Sequence, residues 1–309
     1  MNSTILIGGS RIHVVIEDGP PGLSNDALLR WVRRAAESVT AYYGHFPLPE
    51  IVLRIAPVEG RGVRGGRTFG EGGGRIFIHV GVETTEAGLQ SDWMLTHEMV
   101  HLSFPSVAEE HHWIEEGLST YVEPIARVQA KQMDAAEMWF ELVRDLHQGL
   151  PQDGDEGLDH THTWGRTYWG GALYCFLADL EIRKQTHNKK GLQDALRGIL
   201  NAGGDIREDW DLEKALRTGD QAIGVSVLVP LYEEMKGSPH NVDLDALWKQ
   251  LGLKREGDSV GFDNNAPLAA TRIAITRGTP AAGAKTSSDR GGFTTFAGRT
   301  SRNPRSRRS

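Results

Sequence analysis

The order of two hydrophobic patterns along the chain constrains its fold most strongly. In the first part, short runs of β-branched residues alternate with turns, as at Ile12–Ile16 and Ile51–Ile55. Further on, apolar residues recur at helical spacing instead. Strands followed by helices along a chain are typical of α+β folds. We therefore predict an α+β domain over residues 1–277, with a small mixed β lobe (1–87) and a larger helical lobe (88–277).

Glycines mark the predicted turns and loops of the β lobe. Ile5–Ile7 and Ile12–Ile16 are separated by Gly-Gly-Ser, which predicts a hairpin. Residues 60–74 contain eight glycines in fifteen positions, a composition that indicates a flexible or tightly turning loop. The strand predicted at Arg75–Val80 follows this loop directly, so we expect it at an edge of the sheet, where a peptide substrate could pair with it.

Composition excludes several classes of protein. The single cysteine, Cys175, rules out an internal disulfide, and a formal net charge of −7 argues against nucleic acid as the main partner. No apolar run is long enough to form a transmembrane segment. The visible N-terminus has no signal-peptide pattern, which predicts a cytoplasmic protein, or a periplasmic or secreted one if the N-terminus is truncated. Residues 278–309 are rich in Gly, Ser and Arg, and we predict a disordered basic tail there.

A single motif on a predicted helix carries the chemistry. His97-Glu98-Met99-Val100-His101 places two histidines four residues apart, about one helical turn, so both rings project from one face. Neutral imidazole is a good ligand for Zn²⁺. Glu98 follows the first histidine, in the position of a general base that activates a zinc-bound water.

A catalytic zinc site needs a third protein ligand. The metzincin pattern would require Gly and His where this chain has Phe104 and Val107, so that class is excluded. The remaining donors fall shortly downstream, before or within a second predicted helix, and spacing alone does not choose among them. These candidates are Glu109, Glu110, His111, His112, Glu115 and Glu116.

Two segments resemble a known family. Trp113–Tyr121 resembles the Trp-x-x-Glu-Gly-x-x-x-Tyr segment of gluzincin metallopeptidases, and Tyr168–Leu173 with Leu177–Thr186 resembles the glycyl aminopeptidases of that clan. The resemblance implies a thermolysin-like catalytic domain, with Glu116 as the third zinc ligand. It also implies that Tyr168 donates a hydrogen bond to the developing oxyanion.

The resemblance has gaps. Glycyl aminopeptidases carry a Gly-Gly-Leu-Glu-His type motif whose glutamate anchors the substrate amine, whereas this chain has Gly65–Gly72 there. Glu71 is the nearest substitute, so the amine anchor is not identified. We also expect no counterpart of the PDZ domain common in that family. Two further residues are candidates: Glu123, seven residues after Glu116, for orienting a ligand histidine, and Arg166 for contacting substrate.

The sequence therefore predicts a metallopeptidase that binds one Zn²⁺ per chain through His97, His101 and Glu116. Glu98 would activate the attacking water, and Tyr168 would stabilise the oxyanion. Peptides or proteins are the expected substrates. Two alternatives remain open: an endopeptidase of narrow specificity, and a non-catalytic binding protein that keeps the fold.

Overall fold

A computed structural model describes residues 1–17 and 22–278, which belong to one unit running from Met1 to Thr279.

The first two strands form the predicted hairpin. Strand β1 (Asn2–Ile7) pairs antiparallel with β2 (Ser10–Ile16). The turn between them consists of two glycines with positive φ, a conformation that favours glycine. The alternating apolar residues of β2 are buried, and this alternation fixes the strand's register.

Five strands make up the main sheet, in the order β1-β2-β3-β5-β4. Strand β3 (Glu50–Val58) is parallel to β2 and to β5 (Gly74–Gly81). Strand β4 (Val63–Phe69) is antiparallel to β5 and lies at the edge. Two expectations are therefore corrected: Arg75–Val80 is flanked by strands on both sides, and much of the glycine-rich stretch 60–74 is an edge strand. Glycine lowers strand propensity, but pairing with β5 stabilises the extended backbone here.

A long helix connects β2 to β3. Helix α1 (Asn25–Tyr43) begins where the Ser24 hydroxyl accepts the Ala27 N–H, and it ends at Gly44, which has a left-handed conformation. Its apolar face is buried against β1 and the first helices of the helical lobe. The helix thereby joins the two lobes through one hydrophobic core.

The rest of the described chain is mainly helical, which confirms the predicted α+β class. A small antiparallel hairpin, β6 (Leu253–Glu256) and β7 (Ser259–Phe262), was not predicted. The helices are α2 (Glu86–Gln90), α3 (Met94–His101), α4 (His112–Gln129), α5 (Ala135–Asp145), α6 (Gly171–Gln185), α7 (Leu192–Asn201), α8 (Leu212–Ile223), α9 (Leu228–Met235), α10 (Leu244–Leu251) and α11 (Ala269–Arg277).

Helices α4 and α6 cross at two glycines. A Cβ atom at Gly117 would lie 2.2 Å from Cα of Gly171, and one at Gly171 would lie 2.0 Å from the Trp113 carbonyl oxygen. Any side chain at either position would therefore push the helices apart. Because Glu116 precedes one glycine and Tyr168 stands three residues before the other, this close crossing brings the two side chains to the same place.

No helix among residues 1–17 and 22–278 is long and apolar enough to cross a membrane. The tail predicted over 278–309 lies outside the described residues, apart from Gly278.

Candidate metal centre and active-site cleft

Helix α3 presents the two histidines of the motif. The Asp92 carboxylate accepts the backbone N–H groups of Met94 and Leu95, at 3.2 and 3.1 Å, and so fixes the start of the helix. One turn separates His97 from His101, and their rings lie 4.9 Å apart between centroids. Both Nε2 atoms face a carboxylate from the neighbouring helix.

That carboxylate belongs to Glu116 on α4. Its Oε2 lies 3.0 Å from Nε2 of His97 and 3.6 Å from Nε2 of His101. One ligand atom from each of these three residues lies within 4.8 Å of the others, so the group could hold a metal ion. Two imidazoles and one carboxylate form the donor set of a catalytic zinc site with a position left for water or substrate.

The protonation states of His97 and Glu116 also favour binding of a cation. Burial lowers the pKa of His97, which favours the neutral ring that a metal requires. Burial opposes ionisation of Glu116, but hydrogen bonds from His101, His112 and His97 hold its pKa well below the usual range. Glu116 is therefore ionised at neutral pH. Burial likewise opposes protonation of His101, whose pKa is nevertheless raised by its hydrogen bond to Glu116.

His112 is a further neighbour of the group. Its Nδ1 lies 2.9 Å from Oε2 of Glu115, and its Nε2 lies 3.4 Å from Oε1 of Glu116, the oxygen turned away from His97. Hydrogen bonds to Glu115 and Glu116 raise the pKa of His112 to about 10. A charged His112 would therefore orient Glu116 from the opposite side.

Glu98 points towards the edge strand. Thr68 on β4 donates its hydroxyl to Oε2 of Glu98 at 2.6 Å, and the same hydroxyl lies 2.9 Å from the Glu98 carbonyl oxygen. A Cβ atom at Gly66 would lie 2.6 Å from Oε1 of Glu98. The glycine-rich strand therefore contacts Glu98 directly, and neither Thr68 nor Gly66 was predicted to belong to the site.

Tyr168 is the next residue of the group, and its ring lies beside His97. It belongs to a π-helical turn (Gly165–Gly170) that leads into α6, an irregularity often found at functional sites. Its ring stacks on His97 with centroids 6.3 Å apart, and it also stacks on Trp164 with centroids 5.6 Å apart. Burial and the nearby charges of Glu116 and Glu98 raise the pKa of Tyr168 to about 12, so its hydroxyl is a hydrogen-bond donor at neutral pH.

Glu98, His101, Glu116 and Tyr168 line a cavity of about 1020 Å³, whereas His97 lines a smaller neighbouring cavity together with Tyr168. The walls of the larger cavity come from both lobes: the β4–β5 hairpin on one side, helices α3 and α4 on another, and the segment that follows α7 on a third. The Gly70 end of the hairpin packs tightly on that segment, since a Cβ at Gly70 would meet the Ile206 carbonyl oxygen at 1.8 Å. The volume would accommodate several residues of a peptide.

The structure corrects the expected roles of two other residues. Arg166 is only 2% exposed and its guanidinium forms an ion pair with Asp155 at 2.7 Å, so it supports the fold and does not face a substrate. Glu123 is buried and accepts from Arg127 at 3.0 Å. Nδ1 of His97 has no hydrogen-bond partner among the described residues, so Glu123 does not orient that ring.

Glu71 lies at the turn between β4 and β5, where it is exposed and lines the large cavity. Its backbone carbonyl accepts from the Arg75 guanidinium. The two residues of β4 that contact Glu98 are Gly66 and Thr68, and neither carries a charge.

This chain is similar to known proteins in structure but not in sequence. No protein-family model and no curated protein matches the sequence. An M1 zinc metallopeptidase from Deinococcus radiodurans is 14% identical over 78% of this chain and 52% of that one, with a TM-score of 0.49.

A second solved structure is more similar. It is an aminopeptidase N family protein from Idiomarina loihiensis, 14% identical, with a TM-score of 0.61. The match covers 86% of this chain and 53% of that one, so the chain spans about half the length of the structures it matches. The fold of this chain is thus similar to that of aminopeptidase N family proteins, which agrees with the gluzincin-like architecture expected from the sequence.

Proposed function

We propose that this protein is a zinc-dependent peptidase. The proposal rests on one observation: one ligand atom each from His97, His101 and Glu116 lies within 4.8 Å of the others, and Glu98, His101, Glu116 and Tyr168 line a cavity large enough for a peptide. A neutral imidazole beside an ionised carboxylate, a second carboxylate and a protonated phenol are the parts that acyl-transfer hydrolysis needs. The fold shared with aminopeptidase N family proteins agrees with this function.

His97, His101 and Glu116 would hold the Zn²⁺. When bound, the ion supplies Lewis acidity, which polarises a peptide carbonyl and makes water more acidic. The residues of the chain do the remaining work. His112 supports Glu116 from its Oε1 side, so that Oε2 stays directed at the two histidines.

Glu98 moves the proton. It lines the cavity, so its carboxylate can be reached by substrate and water. Its carboxylate accepts a proton from the attacking water and later passes that proton to the leaving amine. Tyr168, protonated at neutral pH, donates its hydroxyl to the oxyanion that develops on the carbonyl oxygen.

A peptide would lie along β4. This strand is at the edge of the sheet, so its outer backbone groups can pair with an extended substrate. The cleft wall offers no charged side chain at Gly66 or Thr68 to bind a free amine, and Glu71 stands at the turn beyond them. We propose an aminopeptidase-like activity for which the residue that binds the amine is not identified. An endopeptidase of narrow specificity is the alternative.

The test combines metal content with turnover. We expect about one zinc per chain, lost in the His97→Ala, His101→Ala double variant. Glu98→Gln should retain zinc while peptide hydrolysis falls by at least about 100-fold, because a general base contributes about 10²–10⁴. Glu109→Gln, which changes an exposed glutamate outside the group, is the matched control and should leave turnover unchanged. Normal turnover in Glu98→Gln would contradict the mechanism.

Substrate class needs a second comparison. Peptides with a free amine and the same peptides with an acetylated amine separate an aminopeptidase from an endopeptidase, because only the former requires the amine. If the folded, zinc-loaded protein cleaves neither set across a broad peptide library, the result supports the alternative hypothesis of a non-catalytic binding protein.

A further inference from the structure

We propose that Thr68 is a positioning residue that holds the carboxylate of Glu98 in the orientation required for proton transfer. The proposal rests on the peptidase function above and adds a residue of the β lobe to it. It starts from the short contact between the Thr68 hydroxyl and Oε2 of Glu98, at 2.6 Å. A hydroxyl bonded to a carboxylate at this distance is a strong, charge-assisted hydrogen bond.

The strand pattern places Thr68 correctly for this role. In the β4–β5 pair, Thr68 stands opposite Ile76 and Gly66 opposite Ile78, and both isoleucines are buried. Successive side chains of a strand alternate between faces, so Thr68 and Gly66 face the helical lobe. Phe69 faces the other way and packs edge-on against Phe77, with centroids 5.8 Å apart. A one-residue slip of β4 would therefore remove the hydroxyl from Glu98.

Gly66 bounds the same carboxylate on its other side. A Cβ at position 66 would lie 2.5 Å from Cγ of Glu98 and 2.6 Å from its Oε1. Only glycine leaves room for the carboxylate there. Thr68 on Oε2 and the bare backbone of Gly66 beside Oε1 together define one orientation of the Glu98 side chain.

The hydroxyl has one proton and two acceptors. Oε2 of Glu98 is closer than the Glu98 carbonyl oxygen, at 2.6 against 2.9 Å, so the proton goes to the carboxylate when Glu98 is ionised. This bond occupies Oε2 and leaves Oε1 as the oxygen that takes a proton from water. Without the hydroxyl, the carboxylate can rotate and either oxygen can turn towards the cleft, so fewer encounters are productive.

The experiment compares three variants with the wild-type zinc enzyme. Thr68→Val keeps the shape and removes the hydroxyl, while Thr68→Ser restores the donor. Thr84→Val is the matched control, because Thr84 is a threonine near this hairpin that donates to the backbone carbonyls of Gly81 and Gly62, away from Glu98. Each variant is measured for kcat, KM, zinc content and thermal unfolding.

We expect kcat of Thr68→Val to fall by about 10- to 100-fold, the range typical of residues that orient a reacting group through one hydrogen bond. Its KM should stay within about twofold, and zinc should remain at one per chain. Thr68→Ser should recover most of kcat, and Thr84→Val should keep the wild-type kcat. A crystal structure of Thr68→Val should show the Glu98 carboxylate turned away from its wild-type place.

Three results would overturn the proposal: an unchanged kcat in Thr68→Val, an equal loss in Thr68→Ser, or an equal loss in Thr84→Val. If Thr68→Val does not fold, Thr68→Ala takes its place in the same comparison. A wild-type enzyme that binds zinc and cleaves no peptide refutes the proposed function instead. The crystallographic position of Glu98 then still decides whether Thr68 holds it.

Discussion

The cleft has two walls of different construction. The helical wall, formed by α3, α4 and the turn before α6, contributes the metal-ligand candidates His101 and Glu116 together with Tyr168, and the third candidate, His97, belongs to the same helix α3. The strand wall, β4, contributes a threonine hydroxyl, a glycine and free backbone groups. The candidate ligands and the candidate general base lie on the helices, whereas β4 contributes a neutral hydroxyl and a glycine that contact Glu98. The two walls are in contact at Glu98, which belongs to helix α3 and accepts a hydrogen bond from Thr68 on strand β4.

Each wall depends on glycine for a different reason. On the helical wall, Gly117 and Gly171 allow two helices to touch, which sets the distance between Glu116 and Tyr168. On the strand wall, Gly66 allows a backbone to touch a carboxylate. Both are close approaches at ordinary backbone angles, so space and not conformational freedom demands glycine at these positions.

The largest expected effect tests whether the helical wall alone holds the metal. Glu116→Gln keeps the shape and removes the charge that faces His97 and His101. We expect zinc affinity to fall by more than the roughly 10- to 100-fold that losing an outer-shell partner costs, with peptide hydrolysis lost at limiting zinc. Competition with a calibrated chelator measures the affinity.

Glu115→Gln is the control for that variant, because Glu115 is the preceding residue and bonds the Val107 N–H and His112 instead. Its zinc affinity should fall much less than that of Glu116→Gln, because the side chain of Glu115 acts on that of Glu116 through His112. Equal zinc affinity in Glu116→Gln and the wild type would mean that the metal, if bound, uses other donors.

An intermediate effect is expected on the strand wall. Gly66→Ala puts a methyl group within 2.6 Å of Oε1 of Glu98, so the carboxylate must move. We expect kcat to fall by about 10-fold or more, since small displacements of a reacting group are costly, while zinc content is retained. Steady-state kinetics at saturating zinc measures this.

Gly65→Ala provides the comparison within the same strand. The nearest atom to a Cβ at Gly65 is Nδ1 of His79, 4.0 Å away, so a methyl group fits without displacement. Its kcat should match the wild type. If both alanines lower kcat equally, the loss comes from stiffening the strand and not from contact with Glu98.

The two walls also differ in how far the sequence predicts them. The helical wall follows from local spacing: His97 and His101 are one turn apart, and the segment around Glu116 matches a known motif. Because helical geometry repeats within a few residues, such a site can be predicted before the fold is known. Spacing alone could not exclude Glu115 or His112, and the structure accounts for both as neighbours of Glu116 through their mutual contacts.

The strand wall could not be predicted in the same way. Gly65 and Gly66 make the segment look like a loop, because glycine has low strand propensity, and only antiparallel pairing with β5, the next strand, makes it a strand. The hydroxyl of Thr68 has no spacing relation to Glu98, thirty residues away. Arg166 shows the converse error, because its position near Tyr168 in sequence suggested substrate contact, while folding buries it against Asp155.

The smallest expected effect concerns the stability of the protein and involves Glu123, which lies on the same helix as the candidate ligand Glu116. Burial raises the pKa of Glu123 to about 8 in spite of the neighbouring Arg127. Between about pH 4.5 and 8 the folded protein therefore keeps a proton on Glu123 that the unfolded chain has released. The free energy of unfolding must then fall as pH rises through this window, and Glu123→Gln should lack this contribution.

Urea unfolding at pH 5 and pH 8, with zinc removed by a chelator in every sample, measures the difference. Wild type should lose more stability than Glu123→Gln between the two pH values, because only the wild type must ionise a carboxyl group inside the protein. Equal losses would show that Arg127 keeps Glu123 ionised throughout, as their 3.0 Å contact would allow. Helix α4 of the helical wall would then contain a permanent ion pair, and both walls would be held by charge-assisted hydrogen bonds.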